Sequence, residues 1–384
     1  MSYAPTRRLL AAALLALAAI VTAGLLATPS TAKPGHSHHA KHKSASSHHG
    51  FPGKRNGDVV SVMTRNLYLG ADLTPAIEAT SQGKLFTANG QILDEVIAND
   101  FPRRAKGLAQ EILSRRPDLV GLQEVALWAT GPFPGSATNV LYDYLGLLMG
   151  ELNRKRHRYD VAVVQNEFGL EAPADTNGDE VPDLTVALQM RDVILVRDGV
   201  GVMTRNETGA NFDNPLVLPS VVIGPITVDR GWTSVDAKVR GSGWFRFVNT
   251  HLEAFHPRVR GAQAQELVAP GGPATSNLPV VLVGDLNSDD DTVSFPDTYA
   301  YNLLLNAGME NRSTDKPLSC CLNPSLLAVG AGGSNADFDH QVDHVLTRDP
   351  VKIGLRSSTV TGRHPTRGFW SSDHAGVFSA LRFK

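Results

Sequence analysis

PVVLVGDLNSDDD, Pro279 to Asp291, is a short run of Val and Leu that stops abruptly in acids and an amide. The apolar part is too short for a helix, rich in β-branched residues and led in by a proline. It therefore reads as a strand covered on both faces. Asp285 and Asn287 stand at its end, where a buried core would select neither. Loops at strand ends carry chemistry on a rigid scaffold, so this one stretch predicts both a fold class and one edge of a site.

The same form recurs along the chain. PDLVGLQEV brings Glu124 to the end of an apolar run, and FRFVNTHL brings Asn249, Thr250 and His251. QVDHVL embeds Asp343 and His344 between apolar residues, and SSDHAGVF sets Asp373 and His374 at the mouth of the last strand. A lone carboxylate at a strand end is ordinarily solvated, and a lone His is ordinarily just hydrogen-bonded. Five polar ends on five strands form a set, and all five read as lying on the C-terminal side of their runs.

Further strands are predicted at VVSVMTRNLYL, YDVAVVQNE, DVILVR, SVVI and GVFSALRF. Phe101, Ala105, Leu108, Ala109, Ile112 and Leu113 share one helical face, and a second helix is predicted from Val140, Leu141, Tyr144, Leu145, Leu148, Met149 and Leu152. Weaker helical patterns follow His256 and Pro296. Strands outnumber helices and often succeed one another directly, which predicts a mixed-sheet α/β sandwich in one domain from residue 58 to 384. No Gly-rich nucleotide-binding loop is present. The pentapeptide VMTRN occurs twice, at Val62–Asn66 and Val202–Asn206. Only the first copy runs into a polar strand end, so a duplication is not expected.

Residues 1–32 pair a short basic start with an Ala- and Leu-rich apolar run and a small-residue site ending at Ala32. That order predicts a cleaved signal peptide and a secreted product with no membrane span after processing; a retained anchor is the other reading. Residues 33–57 hold six of the 13 His and read as a flexible His- and Lys-rich linker. Residues 1–57 carry seven Lys or Arg and no acid, so the remainder has 29 basic against 38 acidic residues, about −9. Such a body is a poor host for nonspecific nucleic acid. The only cysteines, Cys320 and Cys321, are adjacent: two small buried thiols or a local bridge, with no disulfide framework and no Cys-type zinc site.

Oxygen ligands without Cys suit a hard cation, Mg²⁺ or alternatively Mn²⁺ or Ca²⁺. A His oriented by a carboxylate can activate water or protonate a leaving oxygen, and amides can hold phosphate oxygens as charge develops. Together these predict metal-assisted hydrolysis of a phosphate ester.

The ordered series NLY, QEV, THL, GDLN, DH and SDH, from about Val59 to the C-terminus, resembles the endonuclease/exonuclease/phosphatase superfamily. That resemblance implies a four-layer α/β sandwich of two packed mixed sheets. It implies Glu124 as the main metal ligand, with Asp373 and Asn66 contributing, Asn66 by orienting Glu124 or the phosphate. His374 would take the proton of the attacking water with Asp343 fixing its tautomer, while Asp285 and Asn287 position the nucleophile and stabilise the transition state. His251 would contact the phosphate or the leaving group, and Arg191 or Arg230 would ground the phosphate. His344 stands where relatives often carry an aromatic residue and receives no role. NLY, THLEA and the upstream RGW look more like the secreted sphingomyelinase branch than the repair nucleases, which implies a phospholipid phosphodiester, with an extracellular nuclease as the alternative and a monomer in either case. A non-catalytic binding protein on the same fold would be marked by loss of Glu124 or a catalytic His, and neither is lost. Phe369 and Trp370 read as packed aromatics, with membrane contact as the other reading. DTNGDEVPD offers Asp175, Asn177, Asp179 and Asp183 at calcium-loop spacing, a candidate second, structural Ca²⁺ site, although Glu180 replaces the turn glycine.

Overall fold

Val280–Asp285 is a strand buried at every position, as its composition predicts. The computed structural model describes residues 59–199, 201–289, 297–313, 318–322, 326, 338–349, 353–366 and 368–384. The expected signal segment and linker lie outside the described residues.

In chain order, β1 (Val59–Asn66) leads into α1 (Thr74–Ile77), α2 (Gln82–Ala98) and α3 (Phe101–Arg115). Then come β2 (Leu119–Gln123), β3 (Leu127–Pro132), β4 (Asn139–Asp143), α4 (Tyr144–Asn153), β5 (Tyr159–Ala174) and β6 (Leu184–Arg197). The second half holds β7 (Met203–Asn211), β8 (Leu216–Leu218), β9 (Ile226–Val228), β10 (Gly231–Lys238), β11 (Phe245–His251) and α5 (Pro257–Val268). It closes with β12 (Val280–Asp285), α6 (Tyr299–Asn306), β13 (Met309–Asn311), β14 (Asp343–Arg348), β15 (Ile353–Thr361) and β16 (Gly376–Phe383).

One sheet runs β15–β16–β1–β2–β6–β3–β4, with β5 also paired to β6; the other runs β13–β14–β12–β11–β10–β7, and β8–β9 form a separate ribbon. Each large sheet is built around a parallel pair, β1 with β2 and β11 with β12. Antiparallel β16 and β6 flank the first pair, and antiparallel β14 and β10 flank the second. Period-two alternation divides the side chains between layers. Val281 and Val283 face the other sheet with Val62, Leu119, Phe245 and Phe247, while Val280 and Leu282 face Leu267 and Leu304 of α5 and α6. Met63, Val120 and Leu122 pack outward against Val96, Leu108, Ile112 and Leu148 of α2, α3 and α4. The result is the four-layer helix–sheet–sheet–helix sandwich, in one domain.

Three local expectations fail for identifiable reasons. Val140 and Leu141 belong to strand β4, whose pairing to β3 outweighs their place in a helical pattern. The 17-residue α2 is unmarked in the sequence because Gly83 and Gly90 interrupt it, yet Gly90 is needed there: a Cβ would stand 1.8 Å from the Asp175 carbonyl oxygen. SVVI is a turn, not a strand, confined between Pro219 and Gly224 at φ +80°.

The two sheets approach closely at Gly121. A Cβ there would meet Asn249 Oδ1 at 2.4 Å and Val283 Cγ2 at 2.6 Å. Beside it, Gln123 Nε2 donates to Asn249 Oδ1 at 2.5 Å and Asn249 Nδ2 donates to the Leu122 carbonyl at 3.1 Å, a polar staple between sheets. Gly121→Ala should therefore lower the unfolding free energy by about 1–3 kcal/mol, the usual cost of overpacking a filled core. Urea denaturation measures this, and an unchanged midpoint would show that the sheets can move apart freely.

Candidate active site

The parallel pairs deliver four strand ends to one edge: Asn66 from β1, Glu124 just past β2, His251 from β11 and Asp285 from β12. The antiparallel partners deliver the rest from their beginnings. Asp343 opens β14, and His374 precedes β16. The expectation that every polar end follows its apolar run is thus wrong for two of five, since antiparallel neighbours bring their N-terminal ends to the edge where parallel strands finish.

Asp285 Oδ2 is the hub. It accepts from Asn66 Nδ2 at 3.0 Å and lies 3.5 Å from His251 Nε2 and 3.7 Å from His374 Nε2. Its other oxygen accepts the Asn287 backbone N–H at 2.9 Å. His374 Nδ1 sits 2.8 Å from Asp343 Oδ2, so the expected His–Asp dyad is present, and its Nε2 is turned toward Asp285. Asn287 Nδ2 lies 3.1 Å from His251 Nε2 and donates to the Leu252 carbonyl. Arg230 Nη1 reaches His251 Nδ1 at 3.0 Å.

Burial and charge set the protonation states. Burial pushes the Asp285 carboxyl up, His374 draws it down and Asp343 raises it again, leaving it at about 7. Burial alone would discharge His374, but Asp343, Asp373 and Asp285 together hold it well above the ordinary imidazole range. His251 is held well below that range by burial, Arg230 and His374, so it is a neutral polar group. Burial raises Asp373 to about 6, with His374 opposing and the Glu124 charge adding to the rise.

Glu124, Asn287 and Tyr68 all hold left-handed backbone, at φ of 54°, 46° and 59°. Each such non-glycine residue costs about 1–3 kcal/mol, and strain of this kind gathers at functional sites. Glu124 is fixed by the Asn66 Nδ2 donor at 3.2 Å on Oε1 and the Leu69 N–H at 2.7 Å on Oε2. Glu124 and Asp373 present carboxylates at one mouth, and the Glu124 charge helps to raise Asp373. Such a pair of carboxylates, all oxygen donors, fits a hard divalent ion.

Two assigned residues show their work in their hydrogen bonds. Asn66 turns its NH₂ to Glu124 and Asp285 and its oxygen to the Tyr68 N–H at 2.8 Å, so it orients Glu124, one of the roles the resemblance implies, and Asp285 as well. Arg191 donates to the Val125 and Ala126 carbonyls and to Asp143 Oδ1 at 2.6 Å; it braces the Glu124 loop, and Arg230 is the arginine that reaches the site. His344 bonds the Ser288 carbonyl at 3.0 Å and packs against Tyr301 with the rings tilted by 32°. Phe369 and Trp370 are buried, as packed aromatics. The Asp175 carboxylate takes the Thr87 hydroxyl and the N–H groups of Asn177, Gly178 and Glu180. Asn177 and Asp179 accept the N–H groups of Asp179 and Val181, and Asp183 accepts the Thr176 hydroxyl, so hydrogen bonds within the loop close it.

Sequence reading missed the groups that hold the site. Arg65 donates to the His374 carbonyl at 2.6 Å and to Glu111, and Arg104 donates to the carbonyls of Leu67, Tyr68 and Ser371. The segment Ser319–Leu322 straps the dyad: Ala375 N–H donates to the Ser319 carbonyl, Leu322 N–H to the Asp373 carbonyl, and the Asp343 N–H to Ser319 Oγ. Cys320 and Cys321 form a vicinal disulfide within this strap, and Cys321 Sγ lies 4.0 Å from His374 Nε2. A buried arginine bonded to carbonyls leaves no periodic or motif signature. The adjacent cysteines were the one visible trace of the strap.

The second VMTRN copy lies across β7 at the sheet edge, with Asn206 Nδ2 bonded to Asp236 and Arg205 stacked on Trp244. Asn66→Ala should lower turnover by about 10²–10³-fold, the scale of losing a preorganised donor at a charged centre, while Asn206→Ala leaves it nearly unchanged. Steady-state rates of the two variants check this, and equal losses would refute the placement of Asn66.

The Endonuclease/Exonuclease/phosphatase family model matches residues 88–374. The fold is similar to that of an endonuclease/exonuclease/phosphatase family protein from Bacteroides thetaiotaomicron, with TM-score 0.50 and 15% identity over 85% of this chain and 98% of that one. A mannosyl-6-phosphatase from the same organism gives TM-score 0.48 and 16% identity over 84% of this chain and 100% of that chain. The human Nocturnin catalytic domain gives 0.47 and 15% over 85% and 95%. At such identities the likeness is one of fold. No curated protein matches.

Proposed function

The chain belongs to the endonuclease/exonuclease/phosphatase family, and from that premise we propose that it is a secreted, divalent-metal-dependent phosphodiesterase acting on a phospholipid or a closely related ester. The observation that carries the reaction type is the convergence of Asn66, His251 and the His374–Asp343 dyad on one oxygen of Asp285.

Glu124 and Asp373 would hold the cation, which when bound supplies positive charge to the phosphate oxygens. The chain's own groups do the rest. Asp343 holds Nδ1 of His374, so Nε2–H and Asp285 Oδ2 face the same point as one coupled pair, in which Asp285 accepts the proton of the attacking water while His374 carries the charge. Asn287 and neutral His251 hold phosphate oxygens through hydrogen bonds, and Arg230 offers charge beside them. Asn66 keeps Glu124 and Asp285 in register throughout.

A lipid substrate is supported by the β8–β9 ribbon. Residues 215–228 contain no charged side chain, and Val221 at the tip is 74% exposed, with Val217 at 55% and Ile223 at 49%. The ribbon leads directly to Arg230. The acidic body disfavours a polyanion such as DNA. No helix among the described residues is long and apolar enough to cross a membrane. Secretion rests on residues 1–32, and a product recovered from culture medium should begin at Lys33.

The test is turnover of bis-p-nitrophenyl phosphate, sphingomyelin and phosphatidylcholine vesicles, RNA and plasmid DNA, with Mg²⁺ or with chelator. Chelation should abolish activity and added Mg²⁺ restore it. His374→Ala should cost about 10²–10⁴-fold, the usual share of a positioned acid–base group. Metal-independent turnover or a fully active His374→Ala overturns the mechanism. Cleavage of DNA without lipid turnover would transfer the chain to the nuclease reading.

A further inference from the structure

Beside His251 lie two ligating side chains, Glu167 and Asp192, that the reaction just described does not use. Glu167 of β5, Asp192 of β6 and His251 of β11 each bring one ligand atom within 4.8 Å of the others. All three are buried, Asp192 at 0% exposure, His251 at 1% and Glu167 at 7%. Both oxygens of Asp192 and Oε1 of Glu167 have no hydrogen-bond partner, and neither do Oε2 of neighbouring Glu253 and Nε of Arg230. Buried polar atoms in folded proteins are satisfied almost without exception. Five orphans in one place, three of them on the ligating carboxylates, mark a group that belongs there.

Charge identifies the group. Glu167, Asp192 and Glu253 are three buried acids; Arg230, whose Nε is 3.8 Å from Glu253, faces all of them, and Arg260, paired with Asp297, also lies against Glu253. His251 is neutral, because burial and Arg230 keep it so. With Glu167 and Asp192 both ionised, the pair faces Arg230, which Glu253 also draws on, so negative charge is in excess there. Burial, followed by the Glu167 charge, pushes Asp192 well above the carboxylate range, as expected where a counter-charge is lacking.

We propose that Glu167, Asp192 and His251 bind a second divalent cation, sharing no ligand with the one assigned to Glu124 and Asp373. Two carboxylates and an imidazole suit Mn²⁺ or Zn²⁺ better than Mg²⁺ or Ca²⁺, which favour all-oxygen shells. Its charge offsets that excess. Arg230 Nη1 now occupies the lone pair of His251 Nδ1 at 3.0 Å; with the cation in place the guanidinium turns to Glu253 and to the substrate phosphate. The ion would stand against His251, a phosphate-contacting residue, so it would add charge on the leaving-group side.

The test is Mn²⁺ stoichiometry by equilibrium dialysis and elemental mass spectrometry, with thermal melts in parallel. Mn²⁺ is chosen over Zn²⁺ because the six His of residues 33–57 would compete for zinc, and the counts are read as differences between variants. Glu124→Gln and Asp192→Asn should each bind one fewer Mn²⁺ than the full-length wild type, and the double variant two fewer. Mn²⁺ should raise the Tm of Glu124→Gln, since an ion that binds only the folded chain stabilises it. Unchanged Mn²⁺ counts on Asp192→Asn in both backgrounds overturn the proposal and leave the acids protonated. Should Asp192→Asn fail to fold, Glu124→Gln alone decides: a Tm raised by Mn²⁺ supports the site, and an unmoved Tm overturns it. Both readouts are independent of turnover, so an inactive protein with intact Mn²⁺ counts would refute the proposed reaction and not this site.

Discussion

Two buried arginines bind together segments that lie at opposite ends of the chain. Arg65 ties the carbonyls of Asn66 and His374 to Glu111 of α3, and Arg104 gathers the carbonyls of Leu67, Tyr68, Ser371 and Asn99. Guanidinium groups have donors only, in a rigid fork, and burial obliges every one of them to find an acceptor. That obligation holds the NLY loop against the SSDH loop. Without it the dyad and the Glu124 mouth would sit on loops free to separate.

Around this clamp the site stores strain and unfavourable charge together. Tyr68, Glu124 and Asn287 are left-handed without being glycine. Asp285, Asp343 and His374 bring three ligand atoms within 4.8 Å of one another, all buried. A fold would tolerate neither unless its core held the strand ends in place. That core is the apolar layer between the sheets, closed down at Gly121 and stapled by Gln123 and Asn249. The energy of packing is thereby used to hold carboxylates closer than they would stay in water.

The catalytic edge was legible because buried strands read as Val- and Leu-rich runs, so an acid at the end of VVLVG stands out against its background. Glu124, His251, Asp285, Asn287, Asp343 and His374 were all visible in this way; strands outnumbering helices gave the mixed-sheet sandwich, and the resemblance to the family implied its four layers. Arg65, Arg104, Arg230, Glu167 and Asp192 were not, or only weakly. A charged residue inside a strand pattern looks solvent-facing, and nothing local tells that a second sheet covers it. Arg191 was legible as a polar residue near the site but not in its role, which depends on which way its side chain turns. The two VMTRN copies make the same point: one places Asn66 in the buried hub, the other places Asn206 on an edge strand.

The sequence by itself determined the alternation of strands and helices, the identity of the polar strand ends and the oxygen-rich donor set that calls for a hard cation. These are local properties, set by periodicity and by side-chain chemistry. Only the tertiary structure decided that antiparallel β14 and β16 bring their beginnings to the edge where β1, β2, β11 and β12 end, that Asn66 faces carboxylates with its NH₂, and that Glu167 and Asp192 meet His251 beneath the surface. Those are contacts between residues tens to hundreds of positions apart. They follow from which strand neighbours which and how two twisted sheets face each other, and no stretch of the chain carries that information alone.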